Sequence, residues 1–551
     1  MKRFVSRLVR LFIHPHGVVL YATVALLCPH VALCLTEGMP LLACLTNVTL
    51  PLGVYLLLLT VPARPGWMVG ALFPFVFFAA FQLVLLYLFG QGVVAVDMFL
   101  NVLTTNTGEI FELLDNLVPA VAGVFVLYLP LLVFSACSLR SPLRPRAAFV
   151  RRCRQTGAVA CGAGVLLLAV TCRTCPPYRI SDHLYPVNVT YNLFLAVQRS
   201  VLVRQYQERV ASFTFGARSE REAGTPEVYV LVIGETARAA SFSLYGYPRP
   251  TTPLLASTPG VVAFDQVTTQ SNTTHKSVPM LLTGARAEHY SRLYREKGVV
   301  AAFREAGFHT VFLSNQRPNR SFIDFLGEEA DEWRFIQEDL PAGGQPTDSA
   351  LLAPVREVLA ARRPKELMVL HTYGSHFNYR ERYPRTMAYF QPDERTEATF
   401  ENRVQLTNAY DNSLRYTDYV LHRLIGLLEE RGGQAALLYT SDHGENLYDD
   451  DRRLFLHASP RASEYELHVP FLLWLSEDYR QTCPEVAAAL QANRHRRAQN
   501  SVVTFHTLLQ VGGIRTPVRE DSCSVASPGY REHPLVYLND HNEAVSFPAW
   551  P

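Results

Sequence analysis

The chain has 551 residues, 49% of them hydrophobic, and a formal net charge of +2. So balanced a charge excludes the strong basic field that nucleic-acid binding requires, and no nucleic-acid partner is expected. The length suits several domains, and the averages hide two unlike halves. Residues 17–170 are dominated by apolar blocks, whereas the chain from about Ser181 reads as soluble globular sequence.

Five apolar blocks come first: Gly17–Leu35, Met39–Val61, Trp67–Phe89, Leu117–Cys137 and Thr156–Val170. The first four approach or exceed the ~20 residues that span a bilayer core, and the fifth needs its flanks. No Lys or Arg occurs between Arg64 and Arg140, which argues against buried helices of a soluble domain. Lys2, Arg3, Arg7 and Arg10 precede the first block, and Arg140, Arg144, Arg146, Arg151, Arg152 and Arg154 follow the fourth. The connections near Glu37 and from Gly90 to Asn116 carry no Lys or Arg. Five spans with the N-terminus inside are therefore predicted, with everything after about residue 172 outside. The first block reads as a retained anchor, since no small-residue cleavage site follows it.

Residues from about Asn188 to Ser212 form an amphipathic pattern. Leu193, Phe194, Val197, Val201 and Leu202 alternate with Arg199, Arg204 and Glu208. Such a helix suits a membrane surface, or equally a face packed on the soluble domain. The predicted organisation is a transmembrane domain over 1–172, a linker over 173–225, and a catalytic domain over 226–551.

From Glu227 short apolar runs alternate with longer amphipathic stretches. Strands are predicted at Val228–Ile233, Thr310–Leu313, Leu367–Leu370, Ala435–Tyr439 and Pro470–Trp474. Helices are predicted at Ser277–Leu282, Gly298–Ala306, Ser349–Arg362, Phe400–Arg431 and Ser501–Gln510. This alternation indicates an α/β domain with a largely parallel sheet. Ten cysteines are present, but only Cys483 and Cys523 lie in this domain. An oxidising compartment permits a disulfide between them, and two free thiols is the equally open alternative.

Candidate chemistry gathers where strands end. Val228–Ile233 runs into Gly234-Glu235-Thr236. Ala435–Thr440 runs into Ser441-Asp442-His443-Gly444-Glu445, with His457 further on. Leu367–Leu370 is followed by a segment holding His371 and His376. Open α/β sheets place their chemistry at such C-terminal edges, and Glu235, Asp442 and His443 are suitable ligands for a borderline divalent cation. The segment Asn272-Thr273-Thr274-His275-Lys276-Ser277 opens an apolar helix. A threonine there is ordinarily a cap. It can equally be a nucleophile, since a metal activates the hydroxyl and the helix N-terminus favours a phosphate. On spacing alone the two readings stand even.

Gly234-Glu235-Thr236-Ala237-Arg238, Thr274-His275-Lys276-Ser277-Val278-Pro279, Asn408-Ala409-Tyr410-Asp411-Asn412 and Ser441-Asp442-His443-Gly444-Glu445 together resemble the bacterial phosphoethanolamine transferases. These are membrane-anchored members of the alkaline phosphatase/sulfatase-like superfamily. The resemblance implies an α/β/α periplasmic domain behind five inner-membrane helices. It implies Zn2+ held by Glu235, Thr274, Asp442 and His443, with Thr274 also the nucleophile. His376 and His457 match histidines that bind the phosphoryl group or a second zinc, and His457 is a candidate to protonate the leaving alkoxide. Asn101, Thr105 and Glu109, on one helical face by their i, i+4, i+8 spacing, match a motif for lipid substrate binding. The implied reaction moves phosphoethanolamine from phosphatidylethanolamine to an envelope glycolipid or glycan (lipid A, lipopolysaccharide core or similar) through a phospho-threonine, in a monomer.

His275 and Lys276, and the scarcity of cysteines in the large domain, depart from the better-known lipid A enzymes and resemble the branch acting on core sugars or glucans. Two other readings stand beside this one. One is a glycerophosphate transferase of the lipoteichoic-acid-synthase type. The other is a non-catalytic envelope scaffold. Sulfatase chemistry needs a Cys/Ser-x-Pro-x-Arg segment, and the nucleophile segment has none.

Overall fold

A computed structural model describes residues 12–90, 92–104, 107–176, 178–221, 226–339, 347–394, 396–459 and 461–547, without the side chains of 88, 89 and 101–117. The chain divides into two compact units: Met1–Phe99 with Leu113–Val197, and Leu100–Glu112 with Gln198–Pro551.

The first unit is helical. α1 (Pro15–Thr36), α2 (Leu41–Leu59), α3 (Pro65–Ala71), α4 (Phe73–Phe89), α5 (Thr107–Arg140) and α6 (Ala147–Thr174) follow in order, and α7 (Val187–Arg204) leads out of it. Among the described residues, α1, α2, α6 and Val118–Arg140 of α5 are long and apolar enough to cross a membrane. The third predicted block is not one straight helix. It is broken between α3 and α4, which meet at 62°, because Pro74 cannot donate to the preceding turn. α2 and α6 approach backbone to backbone: a Cβ on Gly164 would lie 2.6 Å from Leu50 Cα. Small residues at such a contact let two apolar helices gain dispersion contacts that bulkier ones would block. The Thr46 and Thr171 hydroxyls bond across the same pair at 2.8 Å.

The second unit is built on a seven-stranded sheet. Its strands are β1 (Glu227–Gly234), β2 (Val261–Phe264), β3 (His309–Ser314), β4 (Glu332–Phe335), β5 (Lys365–His371), β6 (Gln434–Ser441) and β7 (Phe471–Leu475). Their spatial order is β2-β7-β6-β1-β5-β3-β4. β6, β1, β5, β3 and β4 run parallel, and β7 and β2 close one edge antiparallel. β1 is buried along its whole length. Tyr229, Leu231 and Ile233 enter one apolar cluster, and Val228, Val230 and Val232 the other. Covering on both faces explains why β1 reads as a continuous apolar run rather than an alternation. α8 (Thr274–Leu282) and α10 (Asn500–Val511) cover the first face, and α9 (Arg403–Arg431) the second. β2 and β4 were not predicted: they are short edge strands with exposed or half-buried positions. Cys483 and Cys523 are both buried free thiols, and Cys523 Sγ lies 3.4 Å from His533 Nε2.

Candidate metal and nucleophile site

Strand register brings the site together. β1 and β6 are parallel neighbours with Gly234 opposite Ser441, so the next residues, Glu235 and Asp442, emerge side by side. The turn after β1 is bound to Asp442. The Asp442 N–H donates to Gly234 O at 3.0 Å, and Asp442 Oδ1 accepts from Thr236 N at 3.1 Å and His443 N at 2.7 Å. Thr236 is held at φ +62°, an unusual backbone for a β-branched residue and one that persists only where surroundings over-determine it. Tyr410 of α9 donates to its carbonyl at 2.8 Å.

Thr274 is the first residue of α8. The preceding Thr273 occupies the cap position in extended conformation, yet its side chain makes no cap bond. The Thr274 hydroxyl faces the strand ends instead. It donates to Glu235 Oε1 at 3.2 Å and lies 3.1 Å from His443 Nε2. The alternative of a plain cap, open on spacing alone, is therefore not what this hydroxyl does.

His443 Nε2 is also 3.4 Å from Glu235 Oε1 and 3.2 Å from Asp442 Oδ2. Its Nδ1 lies 2.9 Å from Gly444 O, an acceptor only, so Nδ1 carries a proton and Nε2 is the ring atom that faces the cluster. These separations of 3.1–3.4 Å match the edges of a tetrahedron with metal–ligand bonds of about 2.0–2.1 Å, which come to about 3.3 Å. Glu235, Asp442 and His443 are buried and offer one ligand atom each within 4.8 Å of one another. Burial raises the Asp442 pKa. Burial opposes charge on His443, but the Asp442 and Glu235 carboxylates outweigh it and raise its pKa. Two carboxylates gathered in an apolar sheet edge need a cation, and the donor set fits a divalent one of the zinc type.

A second group adjoins the first. His457 Nδ1 lies 2.9 Å from Glu445 Oε2, and the rings of His457 and His443 are 4.1 Å apart. His443, Glu445 and His457 also have ligand atoms within 4.8 Å of one another. His457 sits between Leu456 and Ala458, both at positive φ, so this segment is bent to present the ring. Burial pushes Glu445 well up and His457 down to about 3. Both shifts disfavour charge on the pair. Tyr379 donates to Glu445 Oε1 at 2.8 Å. The His376 ring is 6.1 Å from that of His457, and burial takes its pKa down to about 4.

Glu235, Thr274, Asp442 and His443 therefore converge, with His457 and His376 beside them. Asn101, Thr105 and Glu109 lie outside the residues whose side chains are described. His371 stays in β5, its Nδ1 3.3 Å from Ser314 Oγ, and the His468 Nε2 faces Asp265 O at 3.1 Å; both are structural. Sequence reasoning assigned no role to Glu445, nor to Gln316, which donates to Glu235 Oε2 at 3.1 Å. Glu445 was visible in its pentapeptide, whereas nothing near Gln316 marks it. Gly374 presses on the same carboxylate residue at φ +54°, where a Cβ would come within 2.5 Å of Glu235 O. Gly374→Ala is expected to lower stability by about 2 kcal/mol or more, from φ strain plus overpacking. Thermal unfolding of the two proteins checks this, and an unchanged midpoint would contradict it.

The sequence profile of the Sulfatase family matches residues 227–514. The phosphoethanolamine transferase EptA of Escherichia coli (strain K12) is 32% identical over 295 residues, covering 52% of this chain and 53% of the relative. The chain thus spans about half the length of the curated relatives it matches. The crystal structure of the C-terminal periplasmic domain of EptC from Escherichia coli, a complex with Zn, is 25% identical with a TM-score of 0.55, covering 60% of this chain and 94% of that one. The integral membrane lipooligosaccharide phosphoethanolamine transferase A from Neisseria meningitidis is 22% identical with a TM-score of 0.75, covering 93% of this chain and 97% of that one. That likeness establishes the fold, N-terminal apolar helices followed by an α/β domain. The resemblance read from the four motifs is borne out by these relatives.

Proposed function

The chain belongs to the sulfatase family, and from that membership we propose that it is a zinc-dependent phosphoethanolamine transferase of the bacterial inner membrane. The spans anchor it, and residues 226–551 form a periplasmic catalytic domain. The donor is phosphatidylethanolamine, and the acceptor is an envelope glycolipid or glycan. The observation that carries this reading is the meeting of the Thr274 hydroxyl with Glu235 and His443 at the first turn of α8.

In the first step Thr274 Oγ bonds to phosphorus and the phosphorus–oxygen bond to diacylglycerol breaks. In the second an acceptor oxygen attacks the phospho-threonine and frees Thr274. A bound zinc lowers the pKa of the threonine hydroxyl and polarises a phosphoryl oxygen. The N-terminal end of the α8 dipole favours the phosphoryl charge. Each step releases one proton and consumes one. His457, oriented by Glu445, is assigned the transfer of that proton to the departing alkoxide and its return in the second step. His376 is assigned to phosphoryl binding, and Asn101, Thr105 and Glu109 to the donor lipid, on the family resemblance. The chain works as a monomer in this reading, and tethering it in the donor's own bilayer replaces a three-dimensional search by a local one.

The test reconstitutes the full chain with zinc in phosphatidylethanolamine vesicles without acceptor. The expected result is diacylglycerol release and one phosphoethanolamine on the Thr274 peptide by mass spectrometry. Glycerophosphate on that peptide, from vesicles also holding phosphatidylglycerol, would favour the lipoteichoic-acid-synthase type instead. Neither adduct, with zinc bound, would favour the scaffold. His457→Gln should slow release about a hundredfold with zinc retained; an unchanged rate would remove it from proton transfer.

A further inference from the structure

Thr274 and His457 lie on separate segments, and one carboxylate joins the two. Glu466 is fully buried and belongs to the single turn Glu464–Leu467. Four donors meet its side chain. Oε1 accepts from Asn272 Nδ2 at 2.9 Å and Ser459 N at 3.0 Å. Oε2 accepts from Ser463 N at 2.7 Å and from Ser459 Oγ. Asn272 stands two residues before Thr274, and Ser459 two residues after His457. The Asn272 amide also donates to Ser459 O at 2.9 Å, and Ala458 N donates to Asn272 O at 3.2 Å. The backbone of the same turn holds a third segment. Gly444 N donates to Glu466 O at 2.7 Å, and Glu445 N to Tyr465 O at 3.1 Å.

The plain role of Glu466 is the acidic member of a capping box, formed here with Ser463. That role needs one oxygen, on the Ser463 N–H. It leaves Oε1 unexplained, and both donors to Oε1 come from segments that carry reacting groups. Leu456 and Ala458 hold positive φ on either side of His457, a backbone that persists only where its surroundings fix it. The bonds from Ala458 N and Ser459 N fix one side. We propose that Glu466, through Asn272 and Ser459, is a positioning residue that sets the His457 imidazole relative to the Thr274 hydroxyl. It touches no reacting atom. The inference rests on the transferase reading, in which Glu466 acts on the first step. Thr274 Oγ bonds to phosphorus, the bond to the diacylglycerol oxygen breaks, and the Thr274 proton passes by way of His457 to that oxygen. A displacement of about 1 Å in a positioned group costs on the order of a hundredfold in rate.

The test compares two donor esters on the full-length, zinc-loaded chain in phosphatidylcholine nanodiscs. Phosphatidylethanolamine loses an alkoxide, which needs the proton. 4-Nitrophenyl phosphoethanolamine loses a nitrophenolate, which is stable at neutral pH and needs none. Glu466→Gln keeps the size of the side chain but accepts through one oxygen only, so two of the four donors lose their acceptor. Diacylglycerol release is expected to fall about thirtyfold and nitrophenolate release less than about threefold, with zinc content unchanged. In a His457→Gln background the same substitution should slow diacylglycerol release less than about twofold, since a residue acting through His457 then has nothing to act on. If Glu466→Gln does not fold, Asn272→Ala is read instead, with an expected loss of about tenfold on phosphatidylethanolamine alone. Equal loss on the two esters, or full additivity with His457→Gln, would leave Glu466 a structural cap and overturn the inference, as would unchanged diacylglycerol release. A parent chain that releases neither leaving group fails the transferase reading, and this role with it.

Discussion

Thr274→Ala should reduce transfer on the order of a thousandfold or more, because in the proposed reaction the substitution removes the atom that bonds to phosphorus. The reason lies in the position of the hydroxyl. It is 3.2 Å from Glu235 Oε1 and 3.1 Å from His443 Nε2, at the end of a helix whose own capping does not use it. A residue that merely capped α8 would cost about 1 kcal/mol of stability on truncation and leave the chemistry alone. The two roles separate in one comparison. Thr274→Ser retains the hydroxyl and is expected to keep a substantial fraction of the rate and the covalent adduct, whereas Thr274→Ala loses both. Steady-state rates with peptide mass spectrometry measure this. An alanine variant turning over at the parent rate would eliminate Thr274 as nucleophile.

Asp442→Asn is expected to empty the metal site and lower transfer by a comparable factor. Asp442 is fully buried and its two oxygens do different work. Oδ1 accepts from the Thr236 and His443 N–H groups, which an amide oxygen can still do. Oδ2 faces His443 Nε2 at 3.2 Å, and there the substitution sets an N–H donor toward the cation's place. The fold should therefore survive while the ligand is lost. Metal content of purified protein is expected to fall from about one zinc per chain to under about a tenth. The parent should unfold at higher temperature with added zinc, since a ligand of the native state stabilises it by mass action, and the variant should not respond. Parent protein without zinc, or a variant with its full complement, would overturn the assignment.

Much of this site could be read from local patterns. A buried strand delivering Glu235 and another delivering Asp442 and His443 each occupy fewer than a dozen residues, and their apolar runs mark them clearly. The role of Thr274 was open on its own segment, because Thr273 and Thr274 have the same local signal as a cap. The family resemblance favoured a nucleophile, and the direction of one hydroxyl separates it from a cap. Glu445 was in view without a function, since its partner His457 is reached only through a segment with positive φ on both sides of the ring. Gln316 carried no signal, because its contact with Glu235 joins positions far apart in the chain.

The sequence by itself determined the five apolar blocks, the α/β alternation and the presence of ligand-type residues at strand ends. These follow from hydrophobic length and periodicity, which act over a few neighbours. Only the tertiary structure decided that Gly234 stands opposite Ser441, and that Thr274 turns from capping to the carboxylates. Each of these depends on pairing between strands or helices distant in sequence. The packing of a sheet buried on both faces sets that pairing, and no local pattern encodes it.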